Sequence, residues 1–146
     1  MEQTRKYLKL SSIVVLIFAG VHLINAVAQF LWGELNNATV PEGSPENIVL
    51  ITQIVLLAVS LLLLLPEVYI GVKGLLISKN PSFSKGHIVW AIILLVLAGL
   101  GLIHPIVNIV NQGFTRDTVS TFLFYFVDII VYGDYIKYAR AVLKEC

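Results

Sequence analysis

Four blocks of nearly uninterrupted apolar residues, parted by short polar stretches, organise this chain. They run approximately Leu10–Trp32, Ile48–Ile70, His87–Ile109 and Thr118–Tyr138. The hydrocarbon core of a bilayer is about 30 Å thick, and a helix of roughly 20 residues crosses it. Each block is long enough. Helix is the only architecture open to them, because four strands cannot close a barrel and an open sheet leaves backbone groups unpaired in lipid. The blocks are apolar almost all round, without the single stripe that marks a helix on a soluble core. The expected fold is therefore all-α: an integral membrane four-helix bundle, one transmembrane domain over residues 1–146.

Composition agrees with that pattern. Of 146 residues, 58% are hydrophobic and 13% charged, and the mean hydropathy is +0.87. A soluble domain of this length has too little interior to hide so much apolar surface, whereas lipid covers it. The net charge of +1 offers no basic field for nucleic acid. Cys146 is the only cysteine, so no intrachain disulfide forms. It lies at the last position, not four from the end as a prenylation box requires, and an inert thiol is expected.

Orientation follows from where lysine and arginine fall. Arg5, Lys6 and Lys9 precede the first block, Lys73, Lys79 and Lys85 separate the second from the third, and Lys137, Arg140 and Lys144 close the chain. Only Arg116 falls on the other side, beside Asp117. The connection between the first two blocks carries Glu34, Glu42 and Glu46 and no base. Both termini are therefore expected in the cytoplasm. Ala26-Val27-Ala28 resembles a signal-peptidase site, but Phe30-Leu31-Trp32 resumes the apolar run, so an uncleaved span is expected. Asn37-Ala38-Thr39 is a glycosylation sequon on the outer side. Asn80-Pro81-Ser82 is read as a turn, with Ser82 or Ser84 as the cap of the third helix.

The two halves of the chain resemble each other. Ala19-Gly20-Val21-His22-Leu23-Ile24-Asn25 aligns with Ala98-Gly99-Leu100-Gly101-Leu102-Ile103-His104, placing Asn25 on His104 and Gln29 on Asn108. Pro66-Glu67 aligns with Gly133-Asp134, and Lys73-Gly74 with Arg140-Ala141. This reads as two helical hairpins repeated in parallel about an axis along the membrane normal. Gly20 and Gly99 are read as points of close helix contact.

Polar residues inside the blocks supply the candidate chemistry, since polar groups in hydrocarbon usually face the bundle interior. His22, Asn25 and Gln29 share one helical face through steps of three and four, as do His104, Asn108 and Asn111, and Gln53 lies at similar depth. They are expected either to hold the bundle together by interhelical hydrogen bonds or to line an outer vestibule. Asp128 is the sharpest position, about ten residues into the fourth block and on one face with Tyr125, Tyr132 and Tyr135. His22 lies at a similar depth and is a candidate to share a proton with it, as in proton relays; the blander reading is a neutral Asp128 bonded to a tyrosine or amide. Glu67, Lys73, Asp134 and Arg140 are read as charges at the inner interface, paired with one another or with Lys9 and Lys137.

No nucleotide loop, zinc spacing or nucleophile–base arrangement occurs, so neither an enzyme, a cofactor nor a metal is expected. The leading expectation is a small non-enzymatic interaction or accessory module in the bilayer, touching lipid and either a membrane-protein partner or copies of itself. The alternative is a small transporter or channel assembled as a homo-oligomer, with Asp128 as a protonatable group in the membrane.

Overall fold

The computed structural model describes residues 2–32, 43, 45–81 and 84–145. They form helices α1 (Glu2–Trp32), α2 (Glu46–Lys79), α3 (Gly86–Gly101), α4 (Ile103–Gln112) and α5 (Arg116–Glu145), with no strand among them. With α3 and α4 counted as one span, four helices are long and apolar enough to cross a membrane. Asn37, Ser82 and Cys146 lie outside the described residues.

The helix limits have local causes. α1 and α2 run beyond the apolar blocks, starting at Glu2 and ending at Lys79, because polar residues continue a helix as readily as apolar ones. Glu2 in the first turn of α1 and Lys79 in the last turn of α2 suit the helix dipole. Pro66 sits inside α2 without ending it. α3 begins after Lys85 with no side-chain cap, so Ser84 does not play the capping role expected of it.

The third span is broken at Leu102, where one N–H is shared between the carbonyls of Ala98 (3.2 Å) and Gly99 (3.3 Å). Pro105, three residues on, brings no N–H to the ladder and crowds the preceding turn. α4 stops at Gly113, whose φ of 81° is left-handed and whose N–H bonds the Ile109 carbonyl. α5 opens on reciprocal threonines: Thr118 N–H donates to Thr115 Oγ1 (3.2 Å), and Thr115 N–H donates to Thr118 Oγ1 (3.0 Å).

α1 packs along α2 and α5, α3 packs on α2 and α5, and α4 folds against α3 and α5. The packing is uneven along the bundle. At the end holding both chain termini the interior is closed by Leu8, Val15, Ile70, Ile77, Tyr135 and Val142, all buried. At the opposite end the helices splay, and no residue of α2 between 46 and 63 is buried.

Missing side chains let α2 come close. A Cβ on Gly71 would press into Leu16, and one on Gly74 would collide with the Ser12 hydroxyl and the Tyr135 ring. The Ser12 hydroxyl is turned inward and donates to the Leu8 carbonyl (2.6 Å). Tyr135 fills the centre and donates to the Ile70 carbonyl (2.8 Å). Gly20 and Gly99, expected at close contacts, have open space where a Cβ would stand. The close approaches lie at Gly71, Gly74 and Gly101 instead, because these glycines face a neighbouring helix.

Candidate functional site

Just above the closed end, three helices bring titratable side chains together. α1 supplies His22, α2 supplies Glu67 directly after Pro66, and α5 supplies Asp128 and Tyr132, one turn apart on the same face. The Nδ1 of His22 lies 2.8 and 2.9 Å from the two Glu67 carboxylate oxygens. Tyr132 donates its hydroxyl to Glu67 Oε1 at 2.6 Å. The other imidazole nitrogen, Nε2, is 3.3 Å from Asp128 Oδ1. His22 thus stands between two carboxylates, one on each ring nitrogen.

The two sides of the imidazole are not equivalent. On the Glu67 side the contacts are well-formed hydrogen bonds. On the Asp128 side distance suits an ion pair but direction does not suit a hydrogen bond, and neither His22 Nε2 nor Asp128 Oδ1 has any hydrogen-bond partner. Both carboxylates are deeply buried, with Glu67 6% and Asp128 5% exposed. Phe124 tilts over the imidazole at 4.9 Å between ring centres, and Phe18 meets it edge-on at 6.3 Å.

Charge counting shows what such a group can do. With both carboxylates ionised and the imidazole protonated, the cluster carries one net negative charge. An uncompensated charge in a low-dielectric interior is strongly disfavoured. The cluster becomes neutral by holding one further proton or by admitting a cation.

A partly open cavity of about 340 Å³ begins at the cluster and extends toward the splayed end. Its floor is His22, Glu67, Asp128 and Tyr132. Asn25, Gln29 and Ser60 add neutral polar groups, while α3 contributes only Leu94, Leu97, Ala98 and Gly101. Gly101 has no side chain because the Tyr125 ring occupies that space. Neither lysine nor arginine lines the cavity. No group of three or more His, Cys, Asp or Glu among the described residues is arranged to hold a metal ion.

The residues singled out from sequence are distributed as follows. His22, Asn25, Gln29 and Asp128 meet at the cavity, but Gln53 does not line it. His104, Asn108 and Asn111 do not join it either. His104 is exposed, and its ring pairs with Asn108 Nδ2 at 3.4–3.5 Å along its own helix. The break at Leu102 separates α4 from the cavity-lining α3.

Of the charges expected at the inner interface, Lys73 is half-buried and Asp134 and Arg140 are exposed. Glu67 is displaced from that group: its partners are His22 and Tyr132, not lysine or arginine. The reason is length. α2 runs nine residues past the expected end of its span at Ile70, to Lys79, so Glu67 lies well inside the helix.

Sequence reasoning also passed over His87, which is 1% exposed, has no hydrogen-bond partner at either ring nitrogen, and lies edge-on to Tyr135 at 6.0 Å. Its signal was position alone, at the start of an apolar block. No known family model matches this chain, and no characterised protein or solved structure matches it.

Proposed function

We propose that this chain is a small membrane transport protein whose coupling site is the His22–Glu67–Asp128–Tyr132 cluster. The observation that carries the reading is the meeting of two buried carboxylates and one imidazole at the inner end of a cavity. Bundle cohesion needs no such group. Amides or hydroxyls make interhelical bonds at less desolvation cost, and well-packed apolar residues often stabilise more than a buried ion pair does. Ionisable side chains in a membrane interior are expensive, and they are characteristic of proton and solute pathways.

In this reading the cluster takes a proton from the splayed end, which the distribution of lysine and arginine places outside. The closed end, packed around Tyr135, Ile70 and Leu8, is the barrier. Passing it takes a rearrangement of the bundle or a second copy. The cytoplasmic placement of both termini, the integral membrane location and the homo-oligomeric assembly belong to this proposal.

A second reading, an accessory module packed against another membrane protein, draws support from a different feature. The first half of α2 exposes Ile48, Ile51, Val55, Val59 and Leu62 without any covering helix. The two readings part in one experiment. Purified protein in liposomes loaded with a pH-sensitive dye is expected to pass protons down an imposed gradient. Asp128→Asn and Glu67→Gln should each lower the rate by about tenfold or more, the scale of losing a group that moves the proton. Wild-type liposomes no leakier than empty ones would sink the transport reading and leave the accessory one.

A further inference from the structure

We infer that the cavity is a binding site for a monovalent organic cation, an alkyl- or arylammonium, taken up in exchange for a proton. The inference rests on the transport reading above and names its substrate class. Its first support is charge. Asp128, Glu67 and a protonated His22 together lack one positive charge, and no lysine or arginine lines the cavity to provide it. Of the titratable groups facing the cluster, α1 offers His22, α2 offers Glu67, α5 offers Asp128 with Tyr132 and Tyr125, and α3 offers none.

The second support is independent of the charge count. Asp128, 5% exposed, lines the cavity, and its buried Oδ1 makes no hydrogen bond although His22 Nε2 stands 3.3 Å away. Buried carboxylate oxygens are rarely left without a donor from protein, water or a ligand. A primary ammonium reaching Asp128 would supply the hydrogen bond that the imidazole, 3.3 Å away, does not make.

The walls identify the rest of the ligand. Leu63, Leu64, Leu94 and Leu97 make an apolar lining, and Phe124 and Tyr125 bring aromatic rings whose faces attract cations. A hydrated inorganic ion gains little from such walls, and a divalent metal requires a tight shell of oxygen or nitrogen ligands. A volume of about 340 Å³ instead matches a small organic molecule. The exchange balances: the ammonium enters with its charge, and the proton that had neutralised the cluster leaves to bulk water. No covalent bond is made or broken in the ligand.

The test is isothermal titration of the purified full-length protein in nanodiscs with benzylammonium, in two buffers of different ionisation enthalpy so that released protons are counted. The expected result is saturable binding with close to one proton released. Affinity should weaken about tenfold for each pH unit lowered, over the range where the unliganded cluster keeps its extra proton. Ethylbenzene, the neutral carbon isostere, should not compete. Asp128→Asn should weaken binding more than about thirtyfold, the scale for losing one partner of a buried charge pair. Tyr125→Leu, which leaves every charge in place, should weaken it about two- to fivefold.

Equal competition by ethylbenzene would overturn the inference, because the cavity would then be only an apolar pocket. An equal response to sodium would overturn it as well, and so would binding without proton release. These arms use wild-type protein, so a variant that fails to fold does not decide the question. Failure here and failure of the transport reading are separable. Cation binding with proton release in a protein that passes no protons even with the cation supplied across the membrane supports the site and removes transport. Proton flux without cation binding overturns this inference alone.

Discussion

His22 is one imidazole with two acidic partners, and the asymmetry between them divides the residues by role. Glu67 is held by Tyr132 and His22 at hydrogen-bond distance, whereas Asp128 is only near His22. Tyr132→Phe removes one buried donor and should lower stability by about 0.6–2 kcal/mol, the measured range for interhelical bonds in membranes. Denaturant unfolding in mixed micelles would show it. Asp128→Asn should behave oppositely. It removes a buried charge that has no hydrogen bond to lose at Oδ1, so the thermal midpoint should hold or rise while flux is lost. A drop of many degrees would mean that Asp128 is structural. Residue type and spacing were enough to mark Asp128 and His22. They could not mark Glu67 as a member of the cluster, because a span read as ending at Ile70 puts Glu67 at the inner interface.

At the scale of elements, the decisive contact is α1 against α2. It brings Glu67 to His22, and it depends on Gly71 and Gly74, where backbone and side chains of α1 take the place of a Cβ. Gly74→Val should cost about 1–3 kcal/mol through overpacking against Ser12 and Tyr135. It should also weaken the His22–Glu67 pairing by moving α2 outward. Gly20→Ala meets open space and should leave stability within about 0.5 kcal/mol, which makes it the matched control. Both follow from thermal unfolding of the purified variants. The number of helices was legible because each apolar block has the length of a span. Their rotation was not, because blocks apolar all round carry no periodic signal for the inward face. That is why Gly20 looked as suitable for a close contact as Gly74 does. Pro105 was visible in the sequence, yet beyond the break it accompanies at Leu102, His104 and Asn108 share a face of α4 without lining the cavity.

Across the whole molecule, packing is concentrated at the end with the termini and open at the other. This distribution makes a testable contrast between similar substitutions. Leu8→Ala, at a position with no exposure, should destabilise by about 2–4 kcal/mol, as large-to-small core changes do. Leu62→Ala, 63% exposed on the splayed half of α2, should change stability by less than about 0.5 kcal/mol. Equal losses at both positions would mean that the splayed half is covered as fully as the closed half. The same unevenness creates the cavity, because helices that diverge above a tight base leave a space with the cluster as its floor.

The order of residues along the chain is enough to specify helices long and apolar enough for a membrane, with few polar residues inside them. Hydrocarbon leaves the backbone no other way to satisfy its hydrogen bonds, so length and apolarity suffice for that conclusion. Which of those polar residues meet depends on how the helices pack. Helix rotation and axial register are set by side-chain packing at a few close contacts, above all Gly71 and Gly74 against Leu16, Ser12 and Tyr135. Those contacts put Glu67 against His22 and Tyr132, while Asp134, its counterpart in the expected repeat, is left exposed. No pattern along one helix encodes the register of its neighbour, and so the cluster emerged only when the helices were seen together.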